Sequence, residues 1–178
     1  TTLVETLKAP VTNTLMGLGG ISGTHEQFIG MLGMHGTLEA NKTMANADVI
    51  LALGVRFDDR VTNNVEKFCP NATIIHVDID PTSISKTINA HVPVVGLVEI
   101  VMQQLLDELA EINFTPDEEA LSLWWQQINL WRNVKSLSYQ QDENEKIKPQ
   151  RVVEAMYKIT NGEAYVCSDV GQHQMFAA

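Results

Sequence analysis

In "GVRFDDRVT", residues 54–62, two arginines and two aspartates stand within five positions, directly after the apolar run 49–53. An exposed ion pair contributes only about 0–1 kcal/mol, so stability alone does not account for such crowding at the mouth of a buried strand. Arg56 and Arg60 can each donate bidentate hydrogen bonds to a phosphate or a carboxylate. Gly54 permits close backbone approach, and Asp58 and Asp59 can orient the guanidiniums. Two readings stand side by side: an anionic ligand at a strand's carboxyl end, and an ion-pair turn that satisfies itself.

Neighbouring stretches bear on that choice. "GLGGISG" carries glycines at 17, 19, 20 and 23, one residue off the dinucleotide-binding spacing. Asp78 follows Gly54 by 24 residues and lies near the end of "TIIHVDID", where an acid can grip a ribose hydroxyl or neighbour the helix-capping Asp80. "MLGMHGT" (31–37) sets Gly33 and Gly36 around Met34 and His35, as if backbone passed close to a flat ligand. No metal-ligand spacing joins His35 to His25, His76 or His91, and no metal site is expected. No Ser–His–Asp or Cys–His arrangement can be assembled. Glycine, arginine and a strand-end acid together favour a ligand containing a nucleotide.

The elements that must position these residues alternate as in βαβ units with a parallel sheet. Strands are expected at 11–17, 47–54, 73–80 and 92–96. The second is continuously apolar, as when helices cover both faces. Helices are expected at 37–47, at 80–90 with Asp80 as N-cap and Pro81 at the first position, and over 97–112. In the last of these Val98, Val101, Met102, Leu105, Leu109 and Ile112 keep helical spacing. A helix over about 117–135 places Trp124, Trp125 and Trp131 for packing against a neighbouring domain, and "QQDENEK" reads as a solvated connector. "KPQRVVEAMYKI" then begins a helix, followed by a strand over 163–171, the opening βα unit of a second α/β domain.

Bulk properties bound the partners. A net charge of −10 excludes nucleic acid or an anionic membrane as a bulk partner while leaving room for a local cationic pocket. Two cysteines in unrelated contexts suit a reducing cytoplasm better than a disulfide framework. No apolar run reaches the ~20 residues needed to span a bilayer. The chain opens on Thr1 within a helical pattern and stops at "HQMFAA", which reads as a piece of a longer polypeptide.

"MLGMHGT", "GVRFDDRVT" and "SDVGQHQMFAA" closely resemble the large, catalytic subunits of the acetohydroxyacid synthase (acetolactate synthase) family, most like a bacterial isozyme. The resemblance implies a Rossmann-like FAD-binding middle domain over 1–112, a helical and acidic linker over 113–147, and the start of a thiamine-diphosphate-binding domain over 148–178. It implies FAD, thiamine diphosphate and Mg²⁺ as cofactors and 2-ketoacids as substrates. It also implies a homodimer of catalytic subunits with a small regulatory subunit. Pyruvate activated on thiamine would be joined to pyruvate or 2-ketobutyrate in valine, leucine and isoleucine biosynthesis, and the isolated segment would be inactive.

Residue by residue, Thr14, Leu15, His35, Gly36, Gly54, Arg56 and Asp58 match the family's FAD-contacting segments, and Asp78 and Ile79 its adenosine side. Arg60 matches the residue that receives the second 2-ketoacid's carboxylate, with Asp59 beside it and Met34 lining the channel. Gly171, Gln172 and His173 match the start of the thiamine-diphosphate site. Two positions depart from the family: Leu97 stands where an aspartate is usual, and Phe176 replaces a common tryptophan. A flavoprotein or regulatory nucleotide-binding module without carboligase activity is the alternative.

Overall fold

β-Branched runs dictate the frame. In the computed structural model, which describes residues 1–178, five short strands pair entirely in parallel. β1 (Val11–Asn13) pairs with β2 (Phe28–Met31). β3 (Val49–Leu53), β4 (Thr73–Asp78) and β5 (Val92–Val95) form a second sheet in that order. Its register runs from Val49↔Thr73 to Leu53↔Val77 and from Ile75↔Val92 to Asp78↔Val95. All of these lie in the first of two compact units, Thr1–Val134; the second is Lys135–Ala178.

Parallel strands need crossovers. α1 (Thr2–Leu7) precedes β1, and α2 (Leu38–Asn46) links the two sheets. Thr37 caps α2, its hydroxyl accepting from the Ala40 amide at 3.1 Å and donating to the Ile29 carbonyl at 2.8 Å. The helix start is thereby tied to β2. After β3 comes the one-turn helix α3 (Asp59–Thr62), and after β5 comes α4 (Val98–Glu111).

α5 (Glu118–Arg132) falls inside the interval read from sequence as a linker, yet it packs within the first unit, against α2. Ile128 is completely buried with Ile29, Leu32 and Ala40, and Trp124, Trp125 and Trp131 close around them. Trp124 and Trp131 meet edge to face at 5.7 Å. The Arg132 guanidinium donates to the Phe28 carbonyl at 2.6 Å and to the Glu26 carbonyl at 3.1 Å, and lies 5.5 Å from the centre of the Trp125 ring. The tryptophans thus serve their own unit's core, and the unit ends beyond α5, at Val134.

Two further expectations are corrected. Residues 80–90 form turns, not a helix. Asp80 still accepts from the Thr82 amide at 2.9 Å, as a helix cap does, and from its hydroxyl at 2.8 Å, but no helix continues from it. Ser85 adopts a positive φ of 59° and accepts from the Ala90 amide. Short polar side chains compete here with helical hydrogen bonds. The Thr82 amide, followed by its hydroxyl, also holds the Asp80 carboxyl below its usual pKa.

In the second unit, α6 (Pro149–Thr160) forms as expected, with proline in its first turn. Residues 163–169, however, are irregular and not a strand. An isolated strand has no ladder to join, and Tyr165 and Val170 stay exposed. The short helix α7 (Gln172–Ala177) follows. The first strand is also shorter than expected, because a single tight turn, Leu15–Gly17, replaces its second half.

A second buried cluster under β3 and β4 holds Ile50, Ala52, Phe57, Cys69, Ala72, Ile74 and Ile88. Burial pushes the Cys69 thiol up to about 11, so it is not a nucleophile at neutral pH. Neither cysteine is bonded to the other.

Because Ile128 joins α5 to α2 and β2, Ile128→Ala should destabilise the first unit by about 2–5 kcal/mol. Leu130→Ala, at an exposed position of the same helix, should change stability by less than about 0.5 kcal/mol. Urea unfolding followed by tryptophan fluorescence checks both.

Candidate functional site

Ligands of open parallel sheets bind beyond the carboxyl ends of the strands, and the unusual side chains gather there. Between β1 and β3 lies a cleft of about 310 Å³ that runs along both strands and past their carboxyl ends, with Asn13, Thr14 and Gly17 on one wall and Gly54, Val55 and Phe57 on the other. The first wall is a tight turn. The Gly17 amide donates to the Thr14 carbonyl at 2.9 Å, and the Asn13 side chain donates to the Gly17 carbonyl at 2.8 Å.

The second wall begins at Gly54, whose φ is +63°. A Cβ there would meet only Val98, at 3.7 Å, so glycine is favoured by conformation and not by crowding. The Gly54 amide is held by the Val77 carbonyl at 2.8 Å. Phe57 also has a positive φ, 52°, and only 4% of it is exposed. Its ring meets Phe68 at 5.8 Å and His76 at 5.1 Å, both edge to face. Driving this ring inward leaves its neighbours Arg56 and Asp58 at the surface.

The Arg56 guanidinium touches Asp58 at 3.2 Å, while 75% of its side chain remains exposed. Asp58 also caps α3, accepting from the Val61 amide at 3.3 Å. Arg60 lies 3.9 Å from Asp59, with both side chains open to solvent, and its Nη1 sits 3.8 Å from the Met34 sulfur. Each guanidinium has five N–H donors, so a single loose carboxylate contact leaves most of them available. The self-pairing of the turn is real but incomplete.

Met34 reaches Arg60 because its loop is tied down. Asn41 of α2 clamps Gly33 in both directions, accepting from its amide and donating to its carbonyl at 2.9 Å each. The Met34 amide donates to the Arg60 carbonyl at 2.8 Å. The glycines of this loop answer to the chain itself. A Cβ on Gly33 would sit 2.5 Å from the Arg60 carbonyl oxygen, and one on Gly36 would sit 2.3 Å from that of Met31. His35 and Leu15 are exposed.

At the end of β4, Asp78 is buried and accepts from the Asp80 amide at 2.9 Å, while Ile79 is exposed. Two residues earlier His76 is completely buried, and neither ring nitrogen has a hydrogen-bond partner. Its Nε2 lies 4.0 Å from Asp78 Oδ2. Sequence reasoning passed over His76 as a site residue. The available signal was a polar ring inside the apolar run "TIIHVD".

The structure therefore groups the candidates. Thr14 and Gly54 share the cleft, Arg56 and Asp58 pair beside it, and Met34, Asp59 and Arg60 form a second group. Asp78 stands at the adjoining strand end. In the second unit Gly171, Gln172 and His173 are consecutive at the start of α7, and the His173 ring folds over Gly171, where a Cβ would meet it at 2.8 Å. They supply two hydrogen-bonding side chains and neither a lysine nor an arginine. Nowhere do three or more His, Cys, Asp or Glu side chains gather as metal ligands, and no helix is long and apolar enough to cross a membrane.

A left-handed glycine thus lines the strand-end cleft, with an under-used arginine two residues on and a buried carboxylate at the end of the next strand. The family model of the thiamine pyrophosphate enzyme central domain matches residues 1–105, and the chain belongs to that family. It is 57% identical to the acetolactate synthase isozyme 3 large subunit of Escherichia coli (strain K12), over 98% of this chain and 30% of that protein. It is 55% identical to the acetolactate synthase large subunit of Haemophilus influenzae, over 98% of this chain and 30% of that one. With the acetolactate synthase of Mycobacterium leprae it shares 40% identity over 99% of this chain and 28% of that protein. The chain thus spans about 30% of the length of the first two of these relatives.

Gly33 and Gly19 separate conformational strain from steric clash. Both have positive φ, 98° and 90°, but a Cβ on Gly19 meets nothing within 4 Å. Gly19→Ala should cost about 1 kcal/mol. Gly33→Ala, which must also displace the Arg60 backbone, should cost about 2–4 kcal/mol. Paired denaturant titrations check the difference.

Proposed function

We propose that this chain is part of an acetolactate synthase catalytic subunit and that its first unit holds FAD across the strand ends. The observation that carries the reading is its 57% identity to an acetolactate synthase large subunit over 98% of the chain. The site chemistry supports it. The residues fit a dinucleotide: Gly54 offers backbone without a side chain, Arg56 retains free donors for the diphosphate, and Asp78 offers a buried carboxylate to the adenosine ribose. Thr14, Leu15, His35, Gly36, Asp58 and Ile79 complete the flavin-contacting set in this reading.

Arg60 takes a different role. Its exposed guanidinium beside Met34 suits the carboxylate of the second 2-ketoacid, with Asp59 steadying it and Met34 forming an apolar wall. Thiamine diphosphate, when bound, supplies the carbanion chemistry by which pyruvate loses CO₂ and its two-carbon unit joins that ketoacid. Gly171, Gln172 and His173 would meet its diphosphate, with Mg²⁺ held by residues outside this set. A second catalytic subunit completes the enzyme in this reading. The description of the relatives as large subunits supports a smaller companion as well. A cytoplasmic setting suits the two free cysteines.

The test is acetolactate formation by the complete protein from pyruvate, with thiamine diphosphate, Mg²⁺ and FAD supplied, read as acetoin after acidification. Bound flavin without acetolactate would instead establish a flavoprotein module lacking carboligase activity. Within an active enzyme, Arg60→Ala should raise the KM for the second ketoacid. Loss of one charge-assisted carboxylate contact costs about 1.5–3 kcal/mol, whereas flavin retention should be unchanged. Equal loss of flavin and activity would refute this division of labour between Arg56 and Arg60.

A further inference from the structure

We propose that His76 is a positioning residue, which holds the Asp78 carboxylate in the direction that receives a ribose hydroxyl. The inference rests on the reading of Asp78 as the adenosine-side acid. It starts from an unfavourable feature of the core: His76 is 0% exposed, and both its nitrogens lack partners. A buried polar group without a hydrogen bond destabilises the fold, so an apolar side chain of similar size would suit the core better. A residue that fills space at such a cost is placed for something besides packing.

The geometry identifies what that is. His76 and Asp78 are two apart on one strand, so their side chains share a face of β4. Asp78 Oδ1 is occupied by the Asp80 amide, which leaves Oδ2, the oxygen 4.0 Å from His76 Nε2. Closing that gap to hydrogen-bond length takes a shift of about 1 Å. The imidazole cannot swing away, because the Phe57 ring meets it edge to face at 5.1 Å. A carboxylate oxygen has room for two donors. Oδ2 can therefore take the His76 Nε2–H and a ribose hydroxyl together, the first fixing the direction in which the second is accepted. Phe57 lies between Arg56 and Asp58, so one aromatic contact joins the supports of the diphosphate end and the ribose end.

The experiment uses the complete protein stripped of flavin, with FAD as the probe. The FAD dissociation constant is measured by flavin fluorescence, and the unfolding midpoint is measured without FAD. His76→Leu should weaken FAD tenfold or more while leaving the flavin-free midpoint unchanged or raised. His76→Gln, which returns a donor near the Nε2 position, should restore most of the affinity. The double variant His76→Leu/Asp78→Asn should bind no more weakly than Asp78→Asn alone, since His76 acts through that carboxylate. Unchanged FAD affinity in His76→Leu, alongside weakened binding in Asp78→Asn, overturns the positioning role and leaves the adenosine reading standing. Unchanged affinity in Asp78→Asn overturns both. A lowered flavin-free midpoint shared by the Leu and Gln variants would assign His76 to packing alone and overturn the proposal.

Discussion

The inward-driven ring of Phe57 is the contact on which the strand-end chemistry depends. It takes a residue with a positive φ, 52°, in the middle of a charged stretch and buries it between Phe68 and His76. Left-handed backbone costs a non-glycine residue about 1–2 kcal/mol, and burial of an aromatic ring more than offsets this at about 1.5–3 kcal/mol, with edge contacts added. With Phe57 inside, Arg56 and Asp58 have to point out. The charged crowding of this stretch is thus anchored from below by an apolar residue.

A second chain of supports reaches the same stretch through Arg60. Ile128 and the tryptophans of α5 pin α2. Asn41 on α2 clamps Gly33, and the next amide, that of Met34, holds the Arg60 carbonyl. Met34 and Arg60 therefore share one position through backbone bonds and owe little to their own exposed side chains. A molecule of net charge −10 can still present two under-used guanidiniums at one edge, because local backbone geometry and not overall charge decides where they stand.

The parallel frame was legible in the sequence, and so were the strand-end positions of Gly54, Asp78 and the arginine pair. Those features follow from local rules: β-branched runs, the glycine after the strand, and the capping threonine and aspartates. Legibility failed where a distant partner or a competing local bond decided. Residues 80–90 carried a good helix start, and Asp80 makes its capping bond to the Thr82 amide, yet Ser85 turns to a positive φ and takes the Ala90 amide, and no helix follows. Residues 163–171 had strand composition but no strand beside them to supply a ladder. α5 read as part of a linker because its amphipathic face names no partner, and only the packed helices show that Ile128 belongs with Ile29 and Ala40.

The site divides along the same line. Residue types and spacing by themselves determined that a stretch with two arginines and two aspartates follows one strand and an acid ends the next, since both are properties of short segments. Only the tertiary structure decided that Arg60 meets Met34, and that Gly33 is glycine because the Arg60 backbone presses against it. It also decided that a buried histidine stands unpartnered beside Asp78. Each of these depends on atoms brought together from separate elements or on complete exclusion of water, and neither is written in any one stretch of residues.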